Sequence, residues 1–267
     1  MSSVPAATRT LRILRFLAGQ PQPLAAEHIA KAVGLPRAST YRLLTAMADE
    51  GFVVHLADER TFGVGVAAFE AGSGYVRQAP LQRLARLPLA RLVDRAGESA
   101  HLAVLHGRDV LYVVEERAPG RPPLVTDVGV RLPAHLTASG RAMLARLPGA
   151  QVRALFPNRA AFVQRGESAV PPPVSSPSTL RPLLAETRQR GYAFEDGEVT
   201  PGFASVAAAV FDHNGHPAAA VALTFDAASV GVRAQGRLAA AVREVADEVT
   251  RRVRGRPDPG VTPGEPG

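Results

Sequence analysis

The feature that most constrains this chain is a short turn between two helical patterns, centred on Gly34. From Ala25 to Val33 the apolar residues fall at helical spacing, and Gly34 supplies the left-handed residue that ends such a helix. Pro36 suits the start of a following helix, since its missing N–H would have no partner there. The stretch therefore predicts two helices joined by a tight turn, which is the helix-turn-helix arrangement.

The second helix of this arrangement carries a polar outer face near its start. The N-terminal part of a recognition helix is the part that reaches base edges and phosphates. We therefore predict a set of DNA-contacting residues: Arg37, Ser39, Thr40, Tyr41, Arg42 and Arg60. Within that set, the methyl group of Thr40 is expected to turn toward the core, and Arg60 lies at the tip of a hairpin. The alternatives are a merely solvated helix face and an ordinary hairpin charge.

One helix precedes this pair and a hairpin follows it. We predict that residues 1–7 are disordered and that Thr8 caps a helix ending at Gly19. Two short strands are predicted over 52–56 and 61–64. Residues 8–65 together predict a winged helix-turn-helix domain, and residues 66–79 predict a linker helix.

The rest of the chain mixes helical and strand patterns, so residues 80–254 predict one α+β domain. Helices are predicted over 80–95, 141–145, 150–156, 180–190 and 238–253, and strands over 99–105, 110–115, 124–130, 203–211 and 217–225. The last two strands flank Asn214-Gly215, a typical hairpin turn. Residues 168–178 predict an exposed loop, and residues 255–267 predict a disordered tail rich in Pro and Gly.

Composition limits the classes of function. The chain of 267 residues has no cysteine, which excludes disulfides and thiolate zinc sites. Its net charge of +7 favours a polyanionic partner. Residues 1–77, however, hold eight Arg and Lys against six Asp and Glu, a net charge of +2, so tight DNA binding is expected to need two copies. No apolar run approaches the roughly 20 residues that cross a bilayer, and no signal peptide is evident, so a cytoplasmic protein without a membrane partner is expected.

The sequence does not assemble a catalytic or metal site. Five histidines lack ligand spacing and are predicted to be solvated loop residues: His101, His106, His135, His213 and His216. The acidic pairs Glu115-Glu116 and Glu195-Asp196 would each diverge to opposite faces of a strand. We therefore predict no enzyme activity, no cofactor and no metal. The alternatives are a small-molecule-binding or hydrolytic enzyme carrying a helix-turn-helix-like bundle, and a dimerisation module whose winged domain binds protein.

Three ordered motifs resemble the IclR type of bacterial transcriptional regulators. They are the segment 34–53, the segment 128–142, and the pair 191–193 and 201–208. The resemblance covers about residues 8–253 and implies a winged helix-turn-helix head, a linker helix and a C-terminal GAF-like α+β effector-binding domain. Such regulators act as dimers or dimers of dimers on palindromic double-stranded DNA operators, and they respond to small organic molecules, often carboxylates or aromatic compounds.

The same resemblance implies effector contacts at Ala138, Ser139, Glu195 and Ser205. Ala138 and Ser139 begin a helix after the capping residue Thr137, and the first N–H groups of a helix can hold a carboxylate. The Ser205 hydroxyl is expected to project into a pocket, and Glu195 can accept a hydrogen bond from a ligand hydroxyl but would repel a second carboxylate. The alternatives are a cap, a surface acid and a small core residue. The expected function is a ligand-responsive repressor.

Overall fold

The computed structural model describes residues 4–78, 80–162 and 174–256. The chain divides into two compact units, residues 1–79 and residues 80–267. Each unit has its own hydrophobic core. Within the described residues, no helix is both long enough and apolar enough to span a membrane.

The first unit is a helical bundle with a small sheet. Its elements are α1 (Pro5–Ala18), β1 (Leu24–Ala25), α2 (Ala26–Val33), α3 (Arg37–Asp49), β2 (Val53–Leu56), β3 (Thr61–Val64) and α4 (Val66–Gln78). The antiparallel sheet has the order β1-β3-β2. Gly34 ends α2 with a φ of 68°, as the sequence predicts. Ile13, Leu44 and Phe62 are buried in the core that joins α1, α3 and the wing.

Two predictions about this unit are wrong. α1 begins at Pro5, so residues 5–7 are helical and Thr8 does not cap the helix. Its hydroxyl instead donates to the carbonyl of Val4 from inside the first turn. The start at Pro5 is favourable, because proline needs no N–H partner at the first position of a helix. The strand β1 was not predicted, since two residues are too few to show a pattern.

The second unit has a six-stranded antiparallel sheet with helices on both faces. Its elements are α5 (Pro80–Ala96), β4 (Ser99–His106), β5 (Asp109–Glu116), β6 (Arg131–Pro133), α6 (Ala138–Leu144), α7 (Gly149–Leu155), a 3₁₀ turn (Arg159–Ala161), α8 (Pro177–Arg190), β7 (Ala193–Asp196), β8 (Phe203–Phe211), β9 (Pro217–Asp226) and α9 (Val232–Arg252). The sheet order is β6-β5-β4-β9-β8-β7. The α+β prediction is confirmed.

Alternating residues of the sheet face two separate cores. Val206 and Leu223 pack with α5 and α9 on one face, whereas Ala207 and Ala222 pack with α6 and α8 on the other. This alternation follows from the two-residue period of a strand. On the α6 side of the sheet, Ser99, His101 and Glu195 are buried and Ser205 and Thr224 are half-buried, so their polar groups need partners there.

Several predicted boundaries in this unit need correction. Residues 124–130 form no strand, because the third strand of the pattern is β6, which begins at Arg131. β7 was not predicted as an element. α8 begins at Pro177 and α9 at Val232, each before the predicted start. The hairpin β8–β9 is confirmed, and Gly215 at its tip has a φ of 77°. The exposed loop predicted over 168–178 is wrong in its described part, because Val174 and Ser176 are buried and α8 begins at Pro177. Residues 168–173 and most of the tail over 255–267 lie outside the described residues.

Candidate nucleic-acid interface and ligand pocket

The exposed face of α3 carries most of the predicted DNA contacts. Arg37, Tyr41 and Arg42 are exposed and Ser39 is half-buried. Thr40 is fully buried, and its hydroxyl donates to the carbonyl of Pro36 at 3.2 Å. The prediction that Thr40 contacts DNA is therefore wrong, because its place on the inner stripe of the helix leaves no atom on the surface.

Aromatic contacts join this face of α3 to the wing. The ring of Tyr41 meets the buried ring of Phe62 edge-on, with 5.7 Å between the centroids. The exposed ring of His55 stacks on the same Phe62 at 4.4 Å. His55 was not predicted as a surface neighbour of the helix, since the contact depends on the register between β2 and β3.

Two arginines of the first unit, Arg37 and Arg60, lie on its surface. Arg37 lies 3.8 Å from Glu27, and both side chains are about three-quarters exposed. Ion pairs of this kind contribute at most about 1 kcal/mol and are screened by salt, so Arg37 stays available to another anion. Arg60 is exposed just before β3, and its φ of 54° places it in the left-handed region.

A row of paired residues forms a polar floor on the α6 side of the sheet. It crosses four strands through the pairs Glu195–Ser205, Ser205–Thr224 and Thr224–Ser99. The Ser205 hydroxyl donates to Oε1 of Glu195 at 2.9 Å and lies 3.0 Å from the Thr224 hydroxyl. The Ser99 hydroxyl accepts the N–H of Ala118. Hydrogen bonds therefore join the carboxyl of Glu195 to the hydroxyls on the next two strands, β8 and β9.

Glu195 is 3% exposed and titrates far from its ordinary range. Burial raises its pKa from 4.5 to about 7, against the lowering effects of the Ser205 hydroxyl, the charge of Arg141 and the backbone N–H of Glu198. That N–H donates to Oε2 at 3.1 Å. Below about pH 7 the side chain is therefore a neutral acid, which can donate a hydrogen bond to an anion in the pocket.

Arg141 connects the elements that surround Glu195. Its guanidinium, 2% exposed, donates to the carbonyls of His135 at 2.8 Å and Phe194 at 3.0 Å, and it pairs with Glu198. Because α6 supplies Arg141 and β7 supplies Phe194, the network ties the helix to the edge of the sheet.

The start of α6 forms another wall of the pocket. Thr137 caps the helix by accepting the N–H of Gly140 at 3.0 Å, as predicted. Ala138 and Ser139 follow it and are buried. Burial raises the pKa of Tyr112, although a hydrogen bond with Ser139 opposes the shift. A Cβ at Gly140 would lie 2.2 Å from the carbonyl oxygen of Ala134, so only glycine allows this close approach.

The structure brings the four predicted effector contacts into one pocket. Its lining contains Ala138, Ser139, Glu195 and Ser205, the predicted capping residue Thr137, and residues that were not predicted: His101, Tyr112, Leu124, Val125, Thr126, Val199, Thr200, Phe203, Ala222 and Thr224. The empty volume is about 390 Å³, counting the part open to solvent. Within it, the space that a water-sized sphere can occupy is about 20 Å³, which is enough for one water molecule.

His101 and His135 are buried, so the prediction that they are solvated loop residues is wrong. His101 lies within β4 and reaches Thr126, whereas His135 packs against Phe156 and Phe162. Within the ranges that the structure describes, no group of three or more His, Asp and Glu side chains is placed to hold a metal ion.

A winged helix-turn-helix unit followed by an α+β unit with a polar pocket defines a class of DNA-binding regulators. Comparison with known families supports this class. Residues 6–57 match the IclR helix-turn-helix domain, and residues 73–251 match the domain described as "Bacterial transcriptional regulator IclR C-terminal". The chain belongs to the IclR family of bacterial transcriptional regulators, and the family prediction is confirmed.

Individual relatives match over most of their length. The acetate operon repressor of Salmonella typhimurium is 30% identical over 249 residues, which is 92% of this chain and 89% of the relative. The glycerol operon regulatory protein of Streptomyces coelicolor is 32% identical over 245 residues, covering 91% and 94%. The families and these relatives are transcriptional regulators, so the prediction that the chain is not an enzyme is confirmed.

Solved structures show the same fold. An IclR regulator from Alicyclobacillus acidocaldarius superimposes with a TM-score of 0.80 at 22% identity, covering 94% of this chain and 100% of that one. An IclR homologue from Microbacterium hydrocarbonoxydans, complexed with 4-hydroxybenzoate, gives a TM-score of 0.74 at 22% identity, covering 93% and 99%.

Proposed function

We propose that this protein is a ligand-responsive repressor, in which a small organic acid bound in the pocket changes the affinity of the helix-turn-helix unit for its operator. The observation that carries the proposal is the polar floor Glu195–Ser205–Thr224, in which Glu195 is buried and the two hydroxyl residues are half-buried, and which lines a pocket. A regulator that only bound DNA would have no need for buried hydroxyls and a buried acid around a cavity, since such groups are costly to desolvate.

The chemistry of the pocket favours an acid as the effector. With its pKa raised to about 7, Glu195 is largely neutral below that pH and donates a hydrogen bond to a carboxylate. The repulsion between two carboxylates then applies only above about pH 7. Ser205 and Ser139 supply further hydroxyls. The complex of a homologue with 4-hydroxybenzoate supports an aromatic acid as one type of ligand.

The DNA-binding surface is assigned to Arg37, Ser39, Tyr41 and Arg42 of α3, with Arg60 on the wing. Arginine can bind guanine in bidentate fashion, while hydroxyls reach phosphates or base edges. Since the head carries a net charge of only +2 over residues 1–77, we propose that two heads bind two half-sites of a palindromic operator. The linker role is assigned to residues 66–79, and the assembly is a homodimer or a dimer of dimers.

Repression is the default mode in this proposal. A dimer bound across a promoter blocks polymerase by occupancy alone, and a relative with the name acetate operon repressor supports this direction. The effector acts only through its different affinity for the DNA-binding and the non-binding arrangement of the heads.

Selection of duplexes from a random-sequence DNA library with the full chain tests the proposal. We expect one enriched motif with two-fold symmetry, and an apparent affinity that falls steeply with salt, because phosphate contacts release counterions. Small acids that raise the melting temperature of the protein should then change the affinity for the selected duplex.

The outcomes separate the proposal from its alternatives. Failure to enrich any motif would contradict sequence-specific DNA binding. Turnover of a candidate acid would favour an enzyme. A partner complex that forms with little dependence on salt would favour a winged domain that binds protein.

A further inference from the structure

His101 is a buried polar residue that lines the pocket but is not among the four predicted effector contacts. It lies on β4, is 0% exposed and belongs to the pocket lining. Glu195 lies on β7, three strands away in the sheet order. With about 4.8 Å between neighbouring strands, the two backbones are separated by roughly 14 Å. The pocket therefore has a polar group at each end.

The two ring nitrogens of His101 have different surroundings. Nε2 lies 2.7 Å from the hydroxyl of Thr126 and 3.8 Å from Oε1 of Glu115. Nδ1 is also buried, but no described residue offers it a hydrogen-bond partner. An unpartnered buried nitrogen is unfavourable, so a partner supplied by a bound molecule would remove that cost.

The surroundings of Nε2 decide which nitrogen carries the proton. The side chains of His101 and of Arg117, whose Nε lies 3.0 Å from Oε2 of Glu115, lower the pKa of Glu115 to about 2, so this carboxylate is charged at neutral pH. A negative charge beside Nε2 favours the proton on that nitrogen. In the neutral form of the ring, Nδ1 is then the unprotonated nitrogen, which can only accept a hydrogen bond.

We infer that His101 determines effector specificity, with Nδ1 accepting a hydrogen bond from a hydroxyl group of the bound molecule. The inference rests on the proposed function and makes it narrower. It predicts that the effector is a small hydroxy acid, whose acid group lies near Glu195 and whose hydroxyl group lies near His101. Thr126 is the positioning residue that holds the imidazole in this orientation.

Matched pairs of acids test the inference on the full chain. The probes are 4-hydroxybenzoate with benzoate, lactate with propionate, and 3-hydroxybutyrate with butyrate, each measured by thermal shift and then by calorimetric titration. A site built to bond a hydroxyl discriminates strongly against the analogue that lacks it. For at least one pair we expect the hydroxylated member to bind at least about tenfold more tightly.

Two substitutions of His101 form a matched set. The amide of Asn ends near the position of Nδ1, whereas the longer side chain of Gln brings its amide near the position of Nε2. His101→Asn should therefore keep a preference for the hydroxylated acid. His101→Gln should keep the contact with Thr126 but bind both members of the pair within about twofold of each other, because it lacks a group at the Nδ1 position.

A measurement on the unsubstituted protein covers the case in which these variants do not fold. In ¹⁵N-labelled protein, the Nδ1 resonance of His101 should move upfield when the hydroxylated acid binds, as an accepting nitrogen does on hydrogen bonding. The resonance should stay in place when the analogue without the hydroxyl binds.

The outcomes distinguish this inference from the proposed function. Equal binding of both members in every pair, an unmoved Nδ1 resonance, or a full hydroxyl preference in folded His101→Gln would overturn the role of His101 and leave an acid effector standing. If no acid of the panel raises the melting temperature, the acid effector itself is wrong, and the inference falls with it.

Discussion

The head and the pocket hold their polar side chains in opposite ways. On the head, Arg37 and Arg42 are exposed, and the ion pair described for Arg37 is long and open to solvent. In the second unit, Arg141 and Glu195 are at most 3% exposed, and each has several hydrogen-bond partners. The same residue types therefore serve a surface in one unit and an interior network in the other.

This difference in burial predicts which substitutions change only DNA binding and which also change the stability of the fold. Exposed cations act on DNA through charge, are screened by salt and contribute little to the folded state. Groups in a buried network contribute to the fold and to the ligand site together, because a lost partner leaves another buried group unsatisfied. Substitutions should accordingly have one effect in the head and two effects in the pocket.

The largest expected effect is on Arg141. Arg141→Met removes the donor to the carbonyls of His135 and Phe194 and leaves Glu198 without its cation. Breaking a buried pair in this way costs about 3–5 kcal/mol, which urea denaturation of the full chain measures. The control Arg86→Ala, at an exposed site on α5, should change stability by less than about 0.5 kcal/mol. Equal effects for both variants would show that the buried network is not stabilising.

The next effect concerns DNA affinity alone. The double variant Arg37→Ala/Arg42→Ala should bind the selected duplex at least about 100-fold more weakly, with a smaller dependence on salt. Its melting temperature should stay close to that of the unsubstituted protein, since both side chains are exposed. The matched control is Arg83→Ala/Arg86→Ala on the exposed face of α5, with unchanged affinity. A large loss of stability in the first variant would contradict the separation of binding from fold.

A pH effect tests the buried acid. The raised pKa of Glu195, about 7 against an ordinary 4.5, means that the folded protein holds this proton more tightly than the unfolded chain does. Its contribution to stability is therefore fully present below about pH 4.5 and is lost as the pH rises through 7. Glu195→Gln should remove that loss. Between pH 5 and pH 8, the free energy of unfolding of the unsubstituted protein should therefore fall by on the order of 2 kcal/mol relative to that of the variant.

Asp196 is the matched control for this prediction. It is the next residue on β7 and is exposed on the opposite face of the strand. Asp196→Asn should follow the unsubstituted protein across the same pH range in urea denaturation. If Glu195→Gln also follows it, the carboxyl of Glu195 is not held neutral by burial.

The smallest effect is expected at the wing. Arg60 has a left-handed backbone with a φ of 54°, which glycine adopts without a steric cost. Arg60→Gly should change stability by no more than about 1 kcal/mol, while DNA affinity falls by the few-fold that one lost phosphate contact produces. Titration of the selected duplex at two salt concentrations measures both the loss and its salt dependence. An unchanged affinity would remove Arg60 from the DNA-binding surface.

Local chemistry made much of the fold predictable. Gly34 and Pro36 define the helix-turn-helix from neighbouring residues alone, and Asn214-Gly215 defines the long hairpin in the same way. Thr137 was recognised as a cap because its partner, Gly140, is three residues away. The errors fall on elements that depend on distant partners, such as β7, or on strand pairing, such as the placement of β6 at Arg131 rather than over 124–130.

The site was less predictable for the same reason. His101 and Thr126 are 25 residues apart, Ser205 and Thr224 are 19 apart, and Arg141 and Glu198 are 57 apart. Only the register of the sheet and the placement of α6 bring these groups together. The resemblance to IclR regulators supplied Ala138, Ser139, Glu195 and Ser205, but it supplied neither the burial of His101 nor the raised pKa of Glu195.

The central claim is that the pocket and the DNA-binding surface are coupled, and one thermodynamic cycle tests it most directly. The affinity of a stabilising acid is measured on the free protein and on the protein saturated with its selected duplex. Coupling predicts that DNA changes the affinity for the acid by the same factor by which the acid changes the affinity for DNA, typically about 5–150-fold. An acid that binds in the pocket with the same affinity in both states would contradict the account.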